Sequence, residues 1–264
     1  MMTQKSALFV PHGSPMFALY PGAVGPALAA AVQGLATPRA IVVISPHWET
    51  DIPTVGFASQ LETIHDFGGF DPRLFEIQYP ATGCPEAAHQ VVEVLEDAGF
   101  PVSVDQERGL DHGAWVPLRY MFPDGDVPIV PLSIQHHAGP EHAYRVGQAL
   151  APLTARGFLV VSSGNVTHNL RDWQLSLRLN DATPDYVYEF SDWIHDRLIA
   201  RDIDRLLDYR RTEDAGRRAH PRDEHLLPLF TALGAAGNDA CAEAFYRGVS
   251  DTVIAMDGYA FYAA

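Results

Sequence analysis

Residues 40–49 read AIVVISPHWE, and the first six of them decide the fold class. Ala40–Ser45 is rich in β-branched residues and apolar on both faces that a pleated strand presents. A strand of this kind is buried on both sides, as in a sheet covered by helices above and below. Three further runs read the same way: Ala7–Val10 (ALFV), Val127–Ile134 (VPIVPLSI) and Phe158–Ser162 (FLVVS). Helical periodicities lie between and beyond them. Glu86–Ala98 repeats apolar residues at spacings of three and four and meets a stop at Gly99, and Glu141–Arg156 ends in the same way at Gly157. Asp185–Tyr209 carries a long, broken stripe through Trp193, Leu198, Ile203, Leu206 and Leu207. His225–Ala235 is shorter, and its Pro228 is tolerable only in the first turn of a helix. The alternation predicts an α/β fold with a central, mostly parallel or mixed sheet flanked by helices. No repeat, low-complexity stretch or Gly/Ser/Pro linker divides the chain, so residues 1–264 are expected to form a single domain.

Composition narrows the function classes. The chain has 264 residues, 47% of them hydrophobic, enough to bury a large core. A formal net charge of −15 repels phosphate backbones, so no nucleic-acid partner is expected. The two cysteines, Cys84 and Cys241, form no CxxC pair, which excludes thiolate zinc and redox motifs and suits the reducing cytoplasm. Met1–Ser6 is short and polar, and the apolar run after it is broken by Pro11, His12 and Gly13, so no signal-peptide core is expected there. No stretch approaches the roughly 20 apolar residues of a membrane span.

Histidine is over-represented, with 12 against 18 Lys plus Arg, and its placement carries the functional argument. His12 follows ALFV, His47 follows AIVVIS, His136 and His137 follow VPIVPLSI, and His168 follows FLVVS. Each buried-strand candidate thus delivers histidine just beyond its carboxyl end. Open α/β sheets bind ligands in the crevice outside those ends, and imidazoles gathered there suit a first-row metal. The Pro and Gly flanks of His12 and His47 favour tight turns that hold a ligand in place. A single histidine after a strand is more often solvated or structural, so it is the repetition that counts. His89, His142 and His195 fall within helical patterns and read as solvated helix faces, whereas His65 and His112 fall in Gly-containing loops. The segment His220-Pro-Arg-Asp-Glu-His225 reads first as a helix start, yet both Glu224 and His225 are competent ligands. There is no P-loop, no GxGxxG after a strand, no HExxH and no GxSxG around Ser14, Ser45, Ser162 or Ser163, which disfavours a serine hydrolase.

Seven strings then occur in order: PHGSP at 11–15, SPHWE at 45–49, HDFGGF at 65–70, LDHGAWVPL at 110–118, PLSIQ at 131–135, SSGNVTHNL at 162–170 and HPRDEHLLPL at 220–229. Together, from His12 to Leu229, they resemble the DOPA 4,5-dioxygenase branch of the class III extradiol ring-cleavage dioxygenases, the LigB-like superfamily. The resemblance implies an oxidoreductase that inserts both atoms of O2 into a catecholic substrate at one non-haem divalent metal. It implies His12, His47 and His225 as metal ligands. His168 would be an acid/base residue beside them or a fourth ligand in a resting form, and His112 a catalytic residue that helps with protonation. The more distant protocatechuate branch uses a glutamate as third ligand, and Glu224 stands beside His225. His65, Trp48 and Gln135 are the candidates for substrate contacts. Fe(II) is expected for activity, and a histidine site also suits Zn(II) in isolated protein. The alternatives are a zinc-dependent hydrolase with His168 as base and a non-enzymatic metal-binding protein on the same fold.

Overall fold

The strands form where the doubly apolar runs predict them, in a computed structural model that describes residues 5–179 and 182–262. Residues 1–4 of the polar N-terminal stretch lie outside the described residues. In chain order the strands are β1 (Lys5–Pro11), β2 (Ala40–Glu49), β3 (Thr54–Gly56), β4 (Ser103–Asp105), β5 (Ile129–Ile134), β6 (Phe158–Gly164), β7 (Cys241–Tyr246), β8 (Val249–Ser250), β9 (Ile254–Ala255) and β10 (Gly258–Tyr262). Eight of them make one sheet in the order β4-β3-β5-β2-β6-β1-β10-β7, and β8 pairs with β9 alone. The central strands β5, β2, β6 and β1 run parallel. Antiparallel pairings of β10 with β1, β7 with β10 and β3 with β5 make the sheet mixed.

The helices are α1 (Val24–Val32), α2 (Pro85–Asp97), α3 (His112–Met121), α4 (Gly139–Ala155), α5 (Leu170–Leu179), α6 (Asp185–Ala200), α7 (Ile203–Leu207), α8 (Tyr209–Thr212), α9 (Asp214–Ala219) and α10 (Leu227–Ala235). They cover both faces of the sheet, and successive residues of β2 show it. Ile44 faces Val146 of α4 and Leu227 of α10. Ser45 instead donates to Asp111 (2.5 Å), which caps the start of α3. The run Ala7–Val10 and the run Ala40–Ile44 are buried throughout, as strands covered on both sides must be. No helix among the described residues is long and apolar enough to cross a membrane.

Two local expectations are corrected. The stripe over 185–209 is not one helix. Arg201 adopts a left-handed conformation (φ 55°) and ends α6. The Asp202 N–H turns back five residues to the Arg197 carbonyl at 2.9 Å, a closure that a continuing helix does not make. His112 is not in a loop but is the first residue of α3, because Asp111 accepts from the Ala114 N–H as an N-cap. Pro228 sits in the first turn of α10, the place where its missing N–H costs nothing.

The α4–α10 crossing is a contact of backbones. A Cβ added at Gly147 would lie 2.2 Å from the Thr231 carbonyl oxygen, and one at Gly234 would lie 2.2 Å from that of Tyr144. Neither helix can yield, because each also packs on the central strands. Gly147→Ala is therefore expected to lower stability by about 1–3 kcal/mol through overpacking, despite its higher helix propensity. Chemical denaturation checks this, and an unchanged midpoint would show that the two helices separate freely.

Candidate metal centre

Parallel pairing decides where the histidines meet. Pro11 of β1 lies opposite Gly164 of β6, and Ile44 of β2 opposite Ser162. The three carboxyl ends therefore open on one edge, and His12, His47 and His168 leave them in the same direction. His225 arrives from the other side, in the loop that precedes α10. That loop docks on the end of β6, where the Asn165 N–H donates to the His225 carbonyl at 3.0 Å. Gly164 makes the approach possible, since a Cβ there would stand 2.3 Å from the His225 oxygen.

The rings of His12, His47 and His225 form a nearly equilateral triangle, with centroid separations of 5.2, 5.2 and 5.1 Å. Each ring has a partner on Nδ1. For His12 it is the Ser163 hydroxyl at 2.8 Å, for His47 the Asp66 carboxylate at 3.4 Å, and for His225 the Glu224 carboxylate at 2.8 Å. An ionised carboxylate only accepts, so with Glu224 ionised the ring proton of His225 belongs on Nδ1 and leaves Nε2 as a lone pair, and the Asp66 charge beside Nδ1 of His47 favours the same tautomer there. The Nε2 atoms of His12 and His47 face each other at 3.3 Å. With Ser163 accepting from His12 Nδ1–H, both Nε2 atoms carry lone pairs that a cation between them would share, and outer-sphere partners of this kind are what metal-binding histidines carry. The donor set thus fits a divalent metal.

Burial reinforces this. Loss of solvent and the neighbouring imidazoles push His12 and His225 well below the usual histidine pKa, and bring His47 down to about 4. All three rings are neutral near pH 7, the form that binds metal. Proximity of ligand atoms alone gathers two neighbouring groups that share no residue, His12 with His47 and His112, and His168 with Glu224 and His225, and the triangle draws on both. His112 differs from the triangle in being bound by both oxygens of Asp66, at 2.9 and 3.0 Å. Burial opposes ionisation of Asp66, yet its hydrogen bonds from His112 hold its pKa down at about 2.

His168 stacks on His225 with ring centroids 3.5 Å apart, and its Nδ1 lies 3.9 Å from Glu224. Burial and the nearby His220 lower its pKa to about 3. Glu224 moves the other way: burial raises it to about 7, and its Oε2 has no hydrogen-bond partner.

These groups stand in a cavity of about 590 Å³ that His47, His112, His168 and His225 all line. Its apolar wall comes from Phe67, Phe70, Leu170, Trp173 and Ile254. The three residues expected to touch substrate are not on that wall. Trp48 alternates away from His47 along β2 and is buried beneath the Arg108 guanidinium. His65 hydrogen-bonds the Ile77 carbonyl at 3.0 Å. Gln135 is buried against Ser133 and His142. His136 and His137 also miss the cavity, and His136 pairs with Asp223 at 3.1 Å. The carboxylate that attention to the histidines and Glu224 passes over is Asp66. Asp66 sits inside the HDFGGF string, one residue from the histidine that drew attention.

Two outcomes follow. Gly164→Ala is expected to leave the fold intact but displace His225, weakening divalent-metal affinity by about 10–100-fold, as loss of a ligand's support does; metal-competition titration checks it. His220 supplies a pH prediction. It is buried and bonds the Val166 carbonyl at 2.7 Å, and burial lowers its pKa from 6.5 to about 4. Between those values the unfolded chain binds the proton that the folded chain refuses. Its contribution is therefore intact above pH 6.5 and is lost as pH falls toward 4, on the order of 3 kcal/mol in all. His220→Gln keeps a donor for Val166 and cannot titrate, so urea unfolding of the metal-free variant should be less sensitive to acid than that of the parent. An identical slope would assign the effect to the other histidines.

The chain is similar to known proteins over nearly its whole length. A family model described as the catalytic LigB subunit of aromatic ring-opening dioxygenase matches residues 7–262. The chain is 36% identical over 261 residues to a 4,5-DOPA dioxygenase extradiol of Beta vulgaris, covering 97% of this chain and 96% of that one. It is 38% identical over 240 residues to a 4,5-DOPA dioxygenase extradiol of Escherichia coli (strain K12), covering 88% and 86%. The crystal structure of an uncharacterized protein from Escherichia coli K12 superposes with a TM-score of 0.79 at 30% identity, over 97% of this chain and 99% of that one.

Proposed function

The chain belongs to the LigB family of aromatic ring-opening dioxygenases and is an extradiol ring-cleaving dioxygenase, and from that premise we propose that it opens a DOPA-type catechol at one metal held by His12, His47 and His225. The observation that carries the ligand assignment is the triangle of neutral rings, each with its own Nδ1 partner. Fe(II) is the metal proposed for activity, because ring opening with O2 needs a redox-active ion and zinc has no such chemistry. When bound, it would supply open positions for the two catechol oxygens and for dioxygen, and lower the catechol pKa.

The protein's own groups divide the remaining work. Phe67, Phe70 and Trp173 give the aromatic ring an apolar wall and keep bulk water from the diol. Neutral His168 takes a proton from the catechol hydroxyl, and Glu224 at 3.9 Å favours the imidazolium that results. His112 acts as the proton donor during ring opening. Ionised Asp66 accepts from its Nδ1–H and fixes the orientation of the ring, the role an orienting carboxylate plays in other histidine dyads. Glu224 is assigned as the orienting partner of His225 rather than as a ligand, because its Oε1 is committed to Nδ1. The chain's two cysteines are both free, which fits a cytoplasmic setting.

The test is to strip the protein of metal, reload it anaerobically with Fe(II) or Zn(II), and mix it with a catechol panel in the presence of O2. Iron-dependent oxygen uptake with a new yellow absorbance is expected, and no uptake with zinc. His12→Ala should abolish metal binding and uptake together. His168→Ala should retain the metal but lose about 10²–10⁴ in rate, the usual worth of a general acid–base group. A metal bound as tightly in His12→Ala as in the parent would overturn the ligand assignment.

A further inference from the structure

The cavity wall contains three carboxylates and, among the described residues, one permanently charged cation. Asp66 is committed to His112 and His47, and Glu224 to His225. That leaves Glu49 and Arg222, which the metal-site histidines do not engage. The Arg222 guanidinium pairs with the Glu49 carboxylate across the mouth, and its Nε lies 3.7 Å from Glu224. Arg222 is 54% exposed and Glu49 33% exposed. An exposed pair of this kind adds little to stability and exchanges readily with other charges. It nevertheless joins two elements 173 residues apart in sequence, the end of β2 and the loop before α10.

Its position relative to the metal triangle is defined by the chain. Glu49 follows His47 by two residues of β2, and both line the cavity while Trp48 between them does not. Two strand residues span about 7 Å. Arg222 precedes His225 by three residues in the loop that carries it. The charged pair therefore lines the same cavity as His47 and His225, on the residues that flank those two in the chain.

On the ring-cleaving reading above, we propose that the Glu49–Arg222 pair determines specificity by receiving the zwitterionic arm of an α-amino-acid catechol, with Arg222 taking the carboxylate and Glu49 the ammonium. The exchange conserves charge: one internal ion pair opens and two new ones form, with a bidentate carboxylate on the guanidinium. A catechol with a carboxylate arm alone would meet Glu49 as a like charge. One with an ammonium arm alone would separate Arg222 from its partner, and an uncharged arm would leave the pair closed. The diol and two opposite charges also make three points of attachment, so the site distinguishes mirror-image amino acids.

Binding to the Zn(II)-loaded protein under anaerobic conditions tests this without turnover. Calorimetric titration would compare L-DOPA, D-DOPA, dopamine, 3,4-dihydroxyphenylpropionate and 4-methylcatechol. L-DOPA is expected to bind about tenfold or more tighter than 4-methylcatechol, the scale of charge-assisted hydrogen bonds. Neither singly charged catechol should share that advantage. Arg222→Gln and Glu49→Gln should each collapse the ratio of L-DOPA to 4-methylcatechol affinity and the preference for L- over D-DOPA, and Arg222→Lys should restore part of both. An L-DOPA advantage that survives both glutamine variants, or is matched by either singly charged catechol, overturns the proposal while leaving the ring-cleaving reading in place. Failure of every catechol to bind overturns that reading and the proposal with it.

Discussion

Parallel hydrogen bonding between β1, β6 and β2 is the constraint on which the rest of the structure depends. It makes three strand ends open on one edge of the sheet, so that the last residues of β2 and the loops after β1 and β6 can each present an imidazole to the same volume. Strands of this kind must be buried on both faces, which requires helices above and below. The loops that return the chain to those helices then wall the cavity. His225, the one candidate ligand that follows no sheet strand directly, is held to the same edge by a backbone hydrogen bond to Asn165 and by the close approach that Gly164 permits.

Gathering neutral imidazoles at one edge creates an electrostatic problem, and the structure resolves it with carboxylates behind the rings. Five histidines lie within or beside the cavity wall, and burial keeps those of the triangle unprotonated. Asp66 bonds His112 and stands beside Nδ1 of His47, and Glu224 bonds Nδ1 of His225, all on the outer side of the rings. Lone pairs are thereby directed inward, and the local negative charge favours a divalent cation. Asp66 serves two rings at once, which couples the orientation of a proposed ligand to that of a proposed proton donor.

The cavity is asymmetric in a way that suits an aromatic substrate with a polar arm. Phe67, Phe70 and Trp173 supply apolar area beside the histidines, while Glu49 and Arg222 hold opposite charges at the mouth. On the proposed reading, selectivity resides in a few side chains delivered by β2 and by the loop before α10.

The sequence by itself determined the α/β class, the four central strands and the habit of placing histidine after them, because strand burial and helical periodicity are local patterns. His12, His47 and His168 were legible as a group for that reason, and His225 through the string that contains it. Tertiary structure alone decided the rest. Strand alternation turned Trp48 away from the face that holds His47. Equal chemistry gave no means of ranking His65 against Asp66 in one string; packing turned His65 to the Ile77 carbonyl and Asp66 to His47 and His112. His136 and His137 follow a parallel strand like the others, yet that strand lies beyond β2, and they line a separate pocket that shares only Glu49 with the cavity. Local pattern can say which side chains leave a strand end; only the sheet order and the loops packed across it decide which of them meet.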